Sequence, residues 1–550
     1  MSDIQIRYGN EVITCAYATV AGTVLSRLGI PEDTTVAIRV NNEIRPLNTR
    51  LVVNCTLEPV TVDSQEGAMI YRRSLAFLLA IASQKLFPGH RLYVGHSLGR
   101  SYYYTFNRGN PPDEKAITAL QEEMQALVRQ NIPITFKYLA YEEALRLFSE
   151  NHQPDTVQLL EQRSTSRIKV NECNGCLDIY VEPLVPRTGM LSVFQLMPYH
   201  EGLLLCFPAV GKSIIEPFTD EPQLFKIYRE YKKWGRIVGV RVVADLNSLI
   251  ANRTIRDYIR IAEIHQERKI AEIAKHIYDQ RDRVKLVLLA GPSSSGKTTS
   301  AKRLSLELTV MGIKPIAISL DNYYVGTDQT PRDENGDPDY ECLEALDIAF
   351  LNEQLQALYA GEEIALPVYD FKTGERSNIG GTKIRLDRRM VLIVEGIHAL
   401  NDELTATIAR DTKFKVYVSA LTQLNLDDHN RIPTSDNRML RRLVRDYQFR
   451  GKDAATTMKM WPSVRAGERK HIFPFQNTAD AVFNSALDYE LSVLKYYADP
   501  LLRAVKPGQR EYAEASRLLS FLENFAPISP QYVPGTSILR EFIGDSEFKY

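Results

Sequence analysis

The stretch Lys285-Leu-Val-Leu-Leu-Ala290, followed at once by Gly291-Pro-Ser-Ser-Ser-Gly-Lys-Thr298, constrains this chain more than any other part of it. A short apolar run reads as a buried strand, a glycine-rich stretch as a turn, and Thr298–Met311 as a helix with Gly312 at its end. A chain of phosphates carries several negative charges. Binding it takes backbone N–H groups that converge without side chains in the way, aimed with the positive end of a helix. Gly291, Ser293, Ser294, Ser295, Gly296, Lys297, Thr298 and Thr299 are therefore the candidate phosphate-binding residues. Lys297 would reach the outer phosphates and the Thr298 hydroxyl would hold Mg²⁺. The bland alternative is a Gly-Ser loop with no ligand.

The segments that follow fit the same plan. Ile316–Leu320, Met390–Val394 and Lys415–Val418 read as apolar strands alternating with helices. That order implies an α/β fold with a doubly wound parallel sheet covered on both faces. Asp321 follows one strand and Glu395 ends another, and carboxyl ends of strands face the binding crevice in such folds. Asp321 could accept a proton from an attacking hydroxyl; Glu395 stands where a second metal-site carboxylate is expected. Arg441, Arg442, Arg445, Arg450 and Lys452 form a cationic cluster, with Arg441 and Arg445 on one helical face. They could close over phosphates, or form only a solvated basic face.

Five words in order, GPSSSGKTT (291–299), LDNYY (320–324), LPVYDF (366–371), VLIVEGIHAL (391–400) and RRLVRDYQFRGKD (441–453), resemble the uridine kinase and phosphoribulokinase family over about 285–490. The resemblance implies an ATP-dependent transfer of the γ-phosphate to a nucleoside 5′-hydroxyl. It makes Asp321 the catalytic base, with Lys297 and Arg445 beside it, and puts Mg²⁺ around Thr298, Asp321 and Glu395. It assigns Arg445 and Arg450 to a lid over the nucleotide. The acceptor site it implies comprises Asp321, Tyr324, Glu341, Tyr369, Phe371, Arg445 and Lys452, with the aromatic rings facing a planar base. Two positions depart from the family. Gly374 stands where uridine kinases carry a base-reading His, and a ribose-contacting Phe-Asp-His-Pro run is here Tyr340-Glu341-Cys342-Leu343.

The front half resembles the N-terminal region of threonyl-tRNA synthetase. Residues 1–62 resemble its TGS-type β-grasp module. YRRSLAFLLAIA (71–82), SYYYTF (101–106) and CNGCLDIYVEPLVPRTG (173–189) carry a match to its editing domain. The synthetase's editing ligands, two His, a Cys and a further His, fall here on Arg73, Phe77, Tyr180 and Leu184, so the expectation is a domain without metal or editing hydrolysis. The expected organisation is a β-grasp module (1–62), an α+β editing-like domain (63–250), a connecting helix (251–284), the kinase domain (285–500) and a C-terminal extension (501–550).

Composition limits the alternatives. Apolar and charged residues make up 44% and 25% of 550, as in ordinary globular protein, and the formal net charge of -1 singles out neither nucleic acid nor an anionic membrane as partner. The start lacks a basic leader with an apolar core, and no apolar run approaches the ~20 residues of a membrane span. Six scattered cysteines with one CxxC, Cys173 and Cys176, fit a reducing compartment. A cytoplasmic homo-oligomer acting on a small-molecule nucleoside is expected, with RNA contact by the N-terminal half as a further partner. Gly95-His-Ser-Leu-Gly99 matches an esterase elbow, but the aromatic run behind it reads as strand where an elbow needs a helix. Two rival readings remain: a kinase for another small alcohol such as a phosphosugar, and an ATP-gated RNA-binding regulator.

Overall fold

The computed structural model describes residues 3–107, 112–332, 336, 338–370, 373–377 and 381–549. The chain forms two compact units. One comprises residues 1–252, 423–432 and 499–526, the other 253–422, 433–498 and 527–550.

In the first unit, a five-stranded mixed sheet opens the chain. Strands Ile4–Tyr8 and Cys55–Thr61 pair in parallel at its middle. Helix Ala21–Arg27 ends before Gly29, whose φ of +70 is the left-handed conformation that stops a helix. Asn41 and Asn42, both at positive φ, make the tight turn between Thr35–Val40 and Glu43–Arg45. Arg50–Leu51 and Cys55–Thr61 are two separate strands.

Helix Gln65–Leu86 follows, started by the Ser64 hydroxyl, which accepts from the Gly67 N–H. Its apolar residues line the core of the editing-like region, against the antiparallel sheet that holds Leu92–Leu98 and Ser101–Phe106. Ser97 of the esterase-like motif therefore lies within a strand of a hairpin and precedes no helix. A second, three-stranded sheet pairs Thr135–Ala140, Arg167–Cys173 and Cys176–Asp178. Cys173 and Cys176 face each other across its Asn174-Gly175 turn as free thiols.

The second unit is built on five parallel strands in the order Lys314–Ser319, Met390–Glu395, Leu286–Ala290, Lys413–Ser419, Ala481–Asn484. Every residue of Leu286–Ala290 is buried, as expected of a central strand covered on both faces. Because this first strand is central, the chain leaves it in one direction and later returns to its other side. The crevice at that reversal opens at the carboxyl ends of the strands, where the glycine-rich turn, Asp321 and Glu395 lie.

Helix Ile255–Asp279 belongs to this unit. It buries Ile259, Ala262, Gln266, Ile270, Ile273 and Ile277, spaced at three and four residues, together with one charge, Glu263, whose carboxylate accepts from the Tyr489 hydroxyl at 2.6 Å. Its Gln266 carbonyl accepts from Arg303 of the helix Lys297–Val310 at 2.9 Å. Residues 527–550 also fold onto this unit, whereas helix Tyr512–Leu522 belongs to the first.

Candidate active site

The glycine-rich turn is shaped by close approach. A side chain at Gly291 would put its Cβ 2.0 Å from the Val418 carbonyl of the neighbouring strand, so only glycine fits. Gly296 sits at φ +83, immediately before helix Lys297–Val310.

Three successive carbonyls of the turn are held from outside. Arg438 Nε donates to Ser293 O at 2.9 Å, Arg441 Nη1 to Ser294 O at 3.3 Å, and the Ser485 hydroxyl to Ser295 O. Both guanidiniums are almost wholly buried and pair with buried carboxylates, Arg438 with Glu468 and Arg441 with Glu490. A loop whose carbonyls are tied outward presents its N–H groups to the crevice, the arrangement an anion needs. Arg441, expected over the phosphates, is instead part of this brace. Its spacing correctly gave the helix face, but the buried Glu490 carboxylate at 2.5 Å fixes it beneath the loop.

Around the turn, Lys297 Nζ donates to Pro292 O at 3.3 Å. The Thr298 hydroxyl donates to Glu395 Oε1 at 3.3 Å, and that oxygen also accepts from Ser319 at 3.2 Å. Glu395 is thus brought to the foot of the phosphate-binding helix. Burial first, and then the nearby Asp321 carboxylate, hold its carboxyl well above the usual range, while Lys297 pulls it back. Asp321 opens the short helical turn Leu320–Tyr323, its N–H on the Ser319 hydroxyl. Thr298, Asp321 and Glu395 offer only oxygen donors, the set a hard divalent cation such as Mg²⁺ takes when substrate phosphates complete its shell.

Aromatic rings lie close by. Tyr324 is buried, its ring centroid 5.7 Å from Tyr340 and from Tyr369, and its hydroxyl donates to Tyr340 O. Burial, Asp321 and Glu341 together push the Tyr324 phenol far up, so it stays protonated. Phe371 lies outside the described residues. Gly374 is bound to its place: φ is +71, and a Cβ there would meet Thr327 Oγ1 at 2.1 Å. Its carbonyl accepts from the Thr327 N–H and hydroxyl, so no side chain can project from this position.

Glu341 is half-buried, with Oε2 buried and unpaired among the described residues. Burial and then Glu468 push its carboxyl up to about 7, against the pull of Arg442 and Lys297. The candidate lid cations converge on the buried Asp446, which takes Arg445 at 2.8 Å, Arg442 at 3.3 Å and Arg450 at 3.8 Å. Arg450 is close enough to Asp321 to feel its charge. Lys452 lies farther out, its ammonium against Met460 Sδ.

Glu468 and Glu541 lie outside the motif words, and His398, inside VLIVEGIHAL, carries no motif role. Glu468 accepts from Ser293 N at 3.1 Å, and Glu541 accepts from Thr299 N at 3.0 Å and Thr299 Oγ1 at 2.7 Å. His398 is buried behind Glu341 and Cys342, 6.0 Å from the His471 ring, and burial lowers it to about 4, keeping it neutral.

In the first unit, the four positions that match the synthetase's editing ligands pack as structure. Arg73 pairs with Glu182, Phe77 meets Tyr180 edge-on at 5.7 Å, and Leu184 is buried.

Residues 286–492 match the model of the Phosphoribulokinase / Uridine kinase family. The family match is confined to this C-terminal region. A match to this family supports a P-loop kinase, a phosphotransferase with an alcohol acceptor. The N-terminal region matches threonine–tRNA ligases. The ligase of Desulfovibrio desulfuricans is 32% identical over 156 residues, which is 28% of this chain and 24% of that one. That of Syntrophomonas wolfei is 27% identical over 220 residues, 37% of this chain and 34% of that one. The chain therefore spans between a quarter and a third of these ligases. Among solved structures, a possible uridine kinase from Bacillus stearothermophilus is 22% identical, with a TM-score of 0.27, covering 39% of this chain and 97% of that one. A D-glycerate 3-kinase from Cryptococcus neoformans is 14% identical, with a TM-score of 0.23, covering 46% and 87%.

Proposed function

We propose that the C-terminal unit transfers the γ-phosphate of ATP to the 5′-hydroxyl of a nucleoside. The observation that carries this reading is the meeting of the phosphate-binding turn, Glu395 and Asp321 at one crevice, with the buried rings of Tyr324 and Tyr369 beside Asp321. The turn's N–H groups and Lys297 bind the phosphates. Asp321 takes the proton of the attacking hydroxyl as the acceptor oxygen lines up with the γ-phosphorus. Tyr324 and Tyr369 face the base, and Glu341 accepts from the ribose hydroxyls. Arg445 and Arg450 offset the charge that develops on the transferring group, with Lys452 at the rim, and their closure would exclude water that could otherwise hydrolyse ATP. Thr298, Asp321 and Glu395 would hold Mg²⁺, which supplies neutralisation of the phosphate oxygens.

ADP release from ATP and Mg²⁺ against a panel of nucleosides tests the reading. Turnover with uridine or cytidine is expected. Asp321→Asn should lower it by about 10²- to 10⁴-fold while leaving ATP affinity within a few-fold. Tight ATP binding with no nucleoside turned over would sink the nucleoside assignment.

A second acceptor class is favoured by one observation. Gly374 cannot carry the base-reading His of uridine kinases, because Thr327 fills the space a side chain would need. A site without that donor discriminates bases less sharply. Phosphosugars and other small alcohols therefore belong in the same panel, with turnover on these alone assigning the other acceptor class.

A further inference from the structure

The last turn of the chain lies on the phosphate-binding loop. Arg540 fastens this segment by donating to Pro530 O at 3.0 Å and Val533 O at 2.7 Å. Ile538, Leu539, Phe542 and Ile543 are buried, and the Arg441 guanidinium that braces the loop sits 4.9 Å over the Phe542 ring. Ile538 closes on Gly296, where a Cβ would meet its Cγ2 at 2.6 Å. Lys302, one turn along the phosphate-binding helix, donates to Lys549 O. The segment itself, from Pro530 to Lys549, lies beyond 286–492, the part that matches the kinase family.

From this packed segment Glu541 sends its carboxylate to the helix N-terminus. One oxygen, Oε2, accepts from both the Thr299 N–H and the Thr299 hydroxyl, at 3.0 and 2.7 Å. The first N–H groups of a helix lack partners within it, and the macrodipole makes them a site for anions. A carboxylate accepting from a main-chain N–H and the adjacent hydroxyl offers the same chemistry as a phosphate oxygen. Glu541 is also close enough to Glu395 to push that carboxyl up.

We infer that Glu541 is a built-in competitor for the nucleotide: its carboxylate holds the Thr299 N–H and hydroxyl and must swing away before a phosphate can seat there. The segment is an autoinhibitory contact, weakening ATP binding in the resting enzyme. Its backbone stays anchored by Arg540 and the buried apolar residues, so only the half-exposed Glu541 side chain has to move. This inference rests on the proposal that the turn at 291–299 binds ATP phosphates.

Isothermal titration of the full chain with ATP tests it, using wild type, Glu541→Gln, Glu541→Asp and Lys297→Ala, each checked for an unchanged melting temperature. Gln removes the charge, and Asp keeps the charge but shortens the arm below what is needed to reach Thr299. Both are expected to tighten ATP binding about tenfold, since a charge-assisted hydrogen bond to the competing group is lost. Lys297→Ala should weaken it. Unchanged or weaker binding in Glu541→Gln and Glu541→Asp would overturn the competitor, as would tightening by Gln alone, which would make the effect one of charge and not of contact. If Lys297→Ala binds ATP like wild type, the phosphate-site reading itself is what fails.

Discussion

Glu341 decides how the proposed acceptor site responds to pH. Its position corresponds to an Asp in the ribose-contacting run of the uridine kinases, but its side chain is a methylene longer and lies, with Oε2 buried, near Glu468 and the cations Arg442 and Lys297. Burial and Glu468 win, and the carboxyl titrates near 7. A carboxylic acid accepts from hydroxyls best when ionised, so acceptor binding should strengthen as pH rises through 7. We expect KM for the nucleoside to fall several-fold between about pH 6 and pH 8. Glu341→Gln should hold KM high and flat over that range. A KM profile in Glu341→Gln that still follows wild type would assign the titration to another group. The effect on folding has the opposite sense. A carboxyl raised above its unfolded value near 4.5 contributes stability that is present below that value and lost as pH climbs through 7.

At the scale of the element, the turn between Ala290 and Lys297 owes its shape to two buried ion pairs. Arg441 is fully buried, and its guanidinium divides between Glu490, Ser485 and the Ser294 carbonyl. Removing one partner of a buried pair leaves the other charge uncompensated, at a cost of about 3–5 kcal/mol. Arg441→Ala should therefore lower the melting temperature markedly and loosen ATP binding, whereas Arg450→Ala, half-exposed at the rim of the Asp446 cluster, should spare the fold. Equal melting temperatures for the two variants would refute the bracing role. This contrast also marks what the sequence makes legible. The turn, four of the five strands, and the strand-end positions of Asp321 and Glu395 could be read because each follows from local pattern: an apolar run, a glycine, a carboxylate at a strand end. Arg441 and Arg445 look alike in sequence, since periodicity gives a face and not a depth. The partner that decides between them, Glu490, lies 49 residues away. Glu541 was unreadable for the same reason, 242 residues from the Thr299 it contacts.

At the scale of the whole chain, the two units are not consecutive in sequence. Residues 423–432 lie in order between the kinase strand Lys413–Ser419 and helix Thr434–Arg450, yet they fold into the N-terminal unit. There Asn425 donates to Val94 O at 2.8 Å, Asp428 takes Arg91 at 2.7 Å, and His429 meets Asp178 at 2.8 Å. An excised 285–500 fragment would carry these buried acids without their partners, so the full chain is the proper object for measurement. The pair of His429 and Asp178 gives this segment a pH dependence. Burial opposes the charge on His429, but the Asp178 carboxylate outweighs it, aided by Asp427 and Asp428, and raises the imidazole to about 9. A histidine raised in the folded state contributes stability that is complete below its unfolded value of 6.5 and disappears as pH passes through 9. The shift corresponds to about 3 kcal/mol at most. Burial also raises the neighbouring Asp427 and Asp428, which acts in the same direction. Hydrogen exchange at residues 168–178 and 425–430 should accordingly quicken as pH rises from 6.5 to 9, beyond the intrinsic dependence of amide exchange on pH. Asp178→Asn removes the carboxylate that keeps His429 protonated, and should exchange fast already at pH 6.5 with little further change. Protection in wild type that follows only the intrinsic rate across that window would mean that the His429 charge does not hold the segment, and that Arg91 and Asn425 suffice to dock it.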